Sequence, residues 1–377
     1  MSQLHDLTTE LGPLGQLFRT AGYSLYLVGG IVRDGLLGTV PPLADPRAGD
    51  IDLTTEARPD DILRIVRPLA TALWTQGERF GTIGAEVFGR PLEITTHRAE
   101  HYDAASRKPT VTFGDDLVID LSRRDFTINA MAIDLAAGEL IDPYGGEADL
   151  AARRLRTPLD PRVSFGDDPL RMLRAARFIP RFDLTPDPDL VVAVEELRSR
   201  LTIVSVERIH DEIERLLGVD DPTTGLRFAL NTGLLAEALG EPAGSVRLRL
   251  GSDLVPGGTT VLERRSRLLW PFGLADAGAL LRRLRYSNND RDTTLRQLTL
   301  CELLRRARSA RQRFDGPLTS VGPTLSMSGL PPCVRPWDCM RPVGERPNGV
   351  LDLSESSMTL SRTRTCPASM GRSTATS

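Results

Sequence analysis

The chain has 377 residues, room for two or three domains, and its 40% hydrophobic and 26% charged residues are those expected of an ordinary soluble protein. No apolar run approaches the ~18 residues of a membrane helix, and Met1 to Asp6 shows no basic stretch leading into an apolar one, so neither a membrane span nor a secretory leader is expected. The net charge of −3 gives no global signal for nucleic acid, so any RNA site must be a local face built from arginine, since only Lys108 among 47 basic residues is lysine.

Residues 1–24 read as mainly helical, with Leu4, Leu7, Leu11, Leu14 and Leu17 at helical spacing and Gly12-Pro13 as a point of breakage. Leu25 to Val28 reads as a short buried strand. Gly29 and Gly30 then turn the chain tightly and expose backbone N–H groups, and Ile31 to Leu37 starts a helix behind them. A Pro-rich loop, residues 39–49, leads to Asp50-Ile51-Asp52. On a strand those two carboxylates share a face while Ile51 enters the core, and their repulsion is relieved by a cation between them. A phosphate-binding turn beside a divalent-metal site suits nucleotidyl transfer.

Arg58 to Leu73 is expected to be a helix, kinked at Pro68, with Ile62, Ile65, Val66 and Leu69 as its apolar stripe. Phe80 to Phe88 and Pro91 to Thr96 alternate like a hairpin, with Glu93 polar between Leu92 and Ile94. Residues 97–116 read as a mobile loop. In Ser122 to Ala132, Arg, Asp and Asn interleave with Phe126, Ile128 and Met131, a chemistry for binding ribose and phosphate. After Leu140 and its following turn the period changes from 2 to 3.6. Asp167 to Phe178 reads as a helix carrying Arg171, Arg174 and Arg177 on one cationic stripe, with Leu170, Leu173 and Ala176 turned to the core. Val206–Leu217, Gly225–Leu239, Leu262–Tyr286 and Thr293–Arg308 are further helices. Beyond about Gly316 periodicity is lost and Ser, Thr, Pro, Gly and Arg dominate, so the tail reads as disordered or adventitious. The cysteines, Cys301, Cys333, Cys339 and Cys366, have no metal-type spacing and read as thiols of a reducing cytoplasm.

Taken singly, each motif has a plainer reading. Gly29-Gly30 serves as a tight turn, Asp50-x-Asp52 as a solvated strand end, and the arginine stripe as a solvated or salt-bridged helix face. The spacing Gly-Gly-x-x-Arg-Asp is not that of a dinucleotide fold. His210-Asp211 suggests a metal-dependent hydrolase, but the other histidines, His5, His97 and His101, are too few to complete such a site.

Three segments in this order resemble the class II CCA tRNA nucleotidyltransferase and bacterial poly(A) polymerase family: Leu27 to Asp34 with Asp50-Ile51-Asp52, Arg123 to Ala130, and Asp168 to Phe178. Glu207 to Glu212 and Gly225 to Leu234 extend the likeness, which runs from about residue 20 to 240. The resemblance implies an α+β fold: a polymerase-β-like mixed-sheet head of roughly five strands at 1–150, then all-helical parts, a neck at 151–240 and a partial body at 241–315, before the tail at 316–377. It implies that an RNA 3′-hydroxyl attacks the α-phosphate of ATP or CTP, adding CMP and AMP to the 3′ end of tRNA, in the cytoplasm. Asp50 and Asp52 would hold two Mg²⁺ ions, with Glu93 a third carboxylate. Gly29, Gly30 and Arg33 would hold the triphosphate, and Arg124, Asp125 and Asn129 the ribose and phosphate. Asp168 and Arg171 would read the base edge, with Arg174 and Arg177 below them towards phosphate. Asp103 and Arg107 would switch the pocket from C to A. Poly(A) synthesis, A-only addition and an inactive RNA-binding relic are the alternatives; no protein partner is implied.

Overall fold

The sheet that carries the candidate site is built from seven strands. The computed structural model describes residues 2–39, 51–103, 106–250 and 258–314. The strands are β1 (Tyr26–Val28), β2 (Ile51–Thr55), β3 (Ala70–Trp74), β4 (Thr82–Val87), β5 (Arg90–Thr96) and, after a separate hairpin of β6 (Arg98–Asp103) and β7 (Ser106–Phe113), β8 (Ala132–Asp134) and β9 (Leu140–Ile141). Their order across the sheet is β3-β4-β5-β2-β1-β8-β9. β2 and β5 run parallel and the other neighbours antiparallel, so the sheet is mixed.

Strand alternation decides what each face carries. Leu27, Ile51, Leu53, Ile83, Ala85, Leu92 and Ile94 point to one side and form the main core with α1 (Ser2–Thr20), α2 (Gly30–Leu36) and α3 (Pro59–Val66). On the other face Val28 joins Ala130, Ala132 and Leu121 in a small second cluster near β1 and β8, and Leu121 comes from α4 (Leu117–Ser122). Towards β5 and β4 that face carries Asp52, Glu93 and Gly84 instead of apolar side chains.

Several sequence expectations are changed. α1 is continuous through Pro13, and its apolar stripe ends on buried Phe18 while Leu17 is exposed, because 4-7-11-14-18 keeps the helical period. The helix expected to reach Leu73 stops at Val66. Pro68 offers no N–H to continue it, and Ala70–Trp74 pairs with β4 as an edge strand. Residues 97–116, expected as a loop, contain the β6–β7 hairpin. The sheet holds seven strands because short β8 and β9 extend it.

The rest of the described chain is helical apart from one short parallel pair, β10 (Arg154–Leu155) and β11 (Thr185–Pro186), so the expected all-helical neck carries two strands. The helices are α5 (Gly146–Ala151), α6 (Pro161–Asp167), α7 (Leu170–Phe182), α8 (Pro188–Leu197), α9 (Val206–Leu217), α10 (Thr223–Asn231), α11 (Leu234–Leu239), α12 (Ala243–Leu250), α13 (Val261–Leu269), α14 (Gly273–Arg283) and α15 (Asn288–Phe314). The 225–239 stretch is two helices broken at Thr232-Gly233, and 262–286 is two helices broken around Trp270-Pro271. The tail assigned to 316–377 lies outside the described residues. Among those described, no helix is long and apolar enough to cross a membrane.

Candidate active site

Asp52 and Glu93 stand side by side. Ile51 and Leu53 are buried on β2 and Leu92 and Ile94 on β5, so alternation turns Asp52 and Glu93 out to the open face, where both are exposed. They are register partners on adjacent parallel strands, which lie roughly 4.8 Å apart. Two carboxylates this close repel, and hard oxygen donors of this kind suit Mg²⁺, so the pair fits the expected ion. Asp50 lies outside the described residues; among those described, no group of three or more His, Cys, Asp or Glu side chains forms a metal cluster.

The Gly29 turn closes on the same point. Its φ of 81° and ψ of −140° are tolerated essentially by glycine alone. A Cβ there would meet Arg124 Nη1 at 2.9 Å and Asp52 Oδ2 at 3.7 Å. The turn, the Arg124 guanidinium and the Asp52 carboxylate therefore converge. Arg124 is held from behind by Asp120, Nη2 to Oδ2 3.7 Å, and its Nε is buried without a hydrogen-bond partner. Burial pushes the Arg124 pKa down, against the attraction of Asp120. Asp120 is itself fully buried, and burial raises its pKa, but Arg123 and Arg124 outweigh this and hold it below the usual range.

From α2 a chain of buried polar contacts runs to α9. Arg33 donates through Nη1 to Asn129 Oδ1 and through Nε to Asp34 at 2.8 Å, and its guanidinium lies 4.2 Å from the Phe182 ring centroid. Asn129 Nδ2 donates to Asp125 Oδ1 at 2.8 Å, and Arg174 Nε donates to Asp125 Oδ2 at 2.9 Å. Burial pushes the Asp125 carboxyl up, but the charge and hydrogen bond of Arg174, with the Asn129 bond, hold it down at about 2. Arg174 also lies 3.8 Å from Glu212, which accepts from Arg177 at 2.7 Å and from Arg215 at 3.2 Å.

The start of α7 supplies the remaining candidates. Asp168 precedes the helix; its Oδ1 accepts from the Leu170 N–H at 3.1 Å and its Oδ2 from Arg208 Nη2 at 2.9 Å. Arg171 donates to Ser164 Oγ at 2.8 Å and to the Arg123 carbonyl. That last bond ties α7 to the Arg123-Arg124-Asp125 segment. The structure thus brings Gly29, Gly30, Arg33, Asp52, Glu93, Arg124, Asp125, Asn129, Asp168, Arg171, Arg174 and Arg177 into linked neighbourhoods. Arg171 and Arg177 are buried rather than on a solvated stripe. The backbones of Asp103 and Arg107 sit near the tip of the β6–β7 hairpin. Asp120, Ser164, Arg208 and Glu212 were given no role from sequence. A run of arginines every third residue calls for anions around it, but nothing in the sequence picks out Glu212, 35 residues from Arg177, as the one that supplies them.

The chain matches two family models: the poly A polymerase head domain over residues 25–156, and the probable RNA and SrmB-binding site of polymerase A over 183–243. It is 39% identical over 220 residues to a CCA-adding enzyme of a Geobacillus species, covering 58% of this chain and 52% of that protein. It is 36% identical over 277 residues to the CCA-adding enzyme of Levilactobacillus brevis, covering 72% of this chain and 67% of that protein. The chain thus spans about half the length of the Geobacillus relative. Among solved structures, the Thermotoga maritima CCA-adding enzyme complexed with tRNA-CCA is similar at a TM-score of 0.60 and 25% identity, covering 80% of this chain and 72% of that one.

Proposed function

The chain belongs to the CCA tRNA nucleotidyltransferase and poly(A) polymerase family, and from that membership we propose that it adds CMP and then AMP to the 3′ end of tRNA. The observation that supports this reading is the convergence of the Gly29 turn, Arg124 and Asp52, because a glycine turn with a guanidinium has the chemistry to bind phosphate and the carboxylate beside it suits a divalent ion. In the reaction the RNA 3′-oxygen bonds to the α-phosphorus, the bond from that phosphorus to its bridging oxygen breaks, pyrophosphate leaves and the hydroxyl proton passes to solvent.

Asp52 and Glu93, with Asp50, would hold two Mg²⁺ ions. Bound there, such ions supply an activated hydroxyl and neutralise the departing charge. The Gly29 and Gly30 backbone and the Nη1 end of Arg124 would face the triphosphate. Arg33 is buried against Phe182 and bonded to Asn129, so it supports the nucleotide site from beneath. Asp125 and Asn129, locked to each other and to Arg174, form the ribose wall. Asp168 and Arg171 offer an acceptor and a donor to the Watson–Crick edge of cytosine or, shifted, adenine. Arg174 and Arg177 are tied to Asp125 and Glu212, which fixes the pitch of that helix face below the base reader. Asp103 and Arg107 on the hairpin adjust the pocket between C and A. We take the head as residues 1–150, the neck as 151–240 and the partial body as 241–315, working in the cytoplasm.

The test is incubation with tRNA lacking its 3′ end, Mg²⁺ and single labelled nucleotides. Addition of CMP and then AMP, stopping at three residues, supports the reading. A long A tail makes the protein a poly(A) polymerase, and RNA binding without incorporation makes it an inactive relic.

A further inference from the structure

Asp52 belongs to a row that crosses the sheet. Asp52 is in register with Glu93, Glu93 with Gly84, and Gly84 with Trp74. Register partners point to the same face, so the open face reads Asp52, Glu93, Gly84, Trp74 and ends on edge strand β3. Gly84 has no side chain, and the indole leans over it: a Cβ there would lie 3.0 Å from Trp74 Cε3 and 3.3 Å from Trp74 Cβ. Trp74 is 43% exposed. Beside it opens a cleft of about 330 Å³ lined by Trp74, Gln76, Thr82, Gly84, Pro91 and Glu93.

The two sides of Asp52 differ in chemistry. One is the Gly29 turn with Arg124, cationic and rich in N–H groups. The other is Glu93 followed by Gly84, which has no side chain, and an aromatic plate. In-line displacement needs the attacking and leaving oxygens on opposite sides of the reacting phosphorus. The inference rests on the functional reading above, in which the triphosphate lies on the Gly29 side. The attacking strand then enters from the Glu93 side and meets Trp74. From β2 to β3 is three strand spacings, roughly 14 Å, and the indole leaning over Gly84 of β4 narrows this to about two spacings, roughly 10 Å.

We propose that Trp74 is the stacking platform for a base of the single-stranded RNA 3′ end, holding the terminal hydroxyl at the carboxylates. Stacking on an indole tolerates any base, since every base has a π-face. That suits an acceptor whose last nucleotide changes after each addition.

Steady-state kinetics of the full-length protein, with tRNA lacking its 3′ end and CTP, test this. Trp74→Ala is expected to raise the KM for the RNA about tenfold, leaving the KM for CTP within about twofold. Trp74→Phe, which keeps an aromatic face, is expected to restore most of the RNA affinity and serves if the Ala variant does not fold. An unchanged RNA KM in Trp74→Ala, or a CTP KM that rises in parallel, overturns the proposal. Wild-type protein that adds no nucleotide would refute the functional reading instead. Anisotropy with a labelled ribotrinucleotide then still judges Trp74: about tenfold weaker binding by Trp74→Ala supports the platform, and equal affinity overturns it.

Discussion

The open face of the sheet and the arginine ladder of α7 both mix charge with apolar surroundings, yet they treat their carboxylates in opposite ways. Asp125 and Glu212 are buried, and each is gripped by arginines from α7. Asp52 and Glu93 are exposed and set beside a like charge. A buried carboxylate clasped by guanidinium groups holds up the fold whatever else it touches, because removing either partner strands a charge in a poor solvent. An exposed pair of carboxylates, even with Arg124 beside Asp52, contributes less to the fold than a buried clasp, and in the proposed function it receives a cation from outside. Substitutions in the two regions should therefore separate activity from stability.

The largest expected effect is on activity alone. Asp52→Asn removes one negative charge from an exposed position, so melting temperature should stay within a degree or two. Nucleotide addition should fall by a factor of about 10²–10³ or more, the usual cost of deleting one electrostatic element from a transition state. An Asp52→Asn protein that keeps full activity would move the metal site elsewhere.

On the ladder stability falls as well. Asp125→Ala leaves Arg174 without its main partner, and Asn129 loses an acceptor. The cost should be about 3 kcal/mol, at the low end for a broken buried pair because Arg174 is partly exposed. Calorimetry should show the melting temperature lowered by several degrees. Acid should mimic the variant. Asp125 has a folded-state value of about 2 against an ordinary 3.8, so the unfolded chain binds the proton more readily. The stabilisation, roughly 2 kcal/mol, is complete above about pH 4 and is lost as the pH falls towards 2. The Asp125→Ala protein should show a smaller loss over that window.

The contrast also explains what could be read from sequence. Asp52, the Gly29 turn, Arg124 and Asp168 declare themselves through short local patterns, since strand alternation and a two-glycine turn are local physics. Pairing between distant elements leaves no such trace. Nothing near Glu212 announces that it collects Arg174, Arg177 and Arg215, and nothing near Trp74 places it three strands from Asp52. The mistaken helix at 67–73 has the same origin. Leu69 and Leu73 keep a helical period, and only pairing with β4 makes the segment a strand. The arginine stripe was legible as a stripe but not as buried, because burial depends on α9 and on the 123–125 segment docking against it.

Between the two regions lies the Gly29 turn, where geometry links them. Gly29→Ala places a methyl group 2.9 Å from Arg124 Nη1 on a backbone that L side chains rarely adopt. Stability should fall by about 1–3 kcal/mol. Displacement of Arg124 should raise the KM for CTP and ATP together. A rise for only one of them would place Arg124 at the base and not at the phosphates.

The smallest effect is expected where the two regimes meet, at Asp168. Its Oδ1 caps the Leu170 N–H, and its Oδ2 takes one hydrogen bond from Arg208, whose side chain is 42% exposed. An exposed partner of this kind is worth only ~0.2–1 kcal/mol, so Arg208→Ala should leave the melting temperature almost unchanged. What changes is aim. With Oδ2 released, the carboxylate swings about its Oδ1 contact, and the acceptor presented to a base edge loses its fixed position. Discrimination against UTP and GTP should weaken by a few-fold, with the rate for the correct nucleotide nearly unaltered, measured by single-nucleotide incorporation side by side. Unchanged discrimination would mean that Asp168 is held well enough by the helix start alone, and that Arg208 belongs to the scaffold with Arg177.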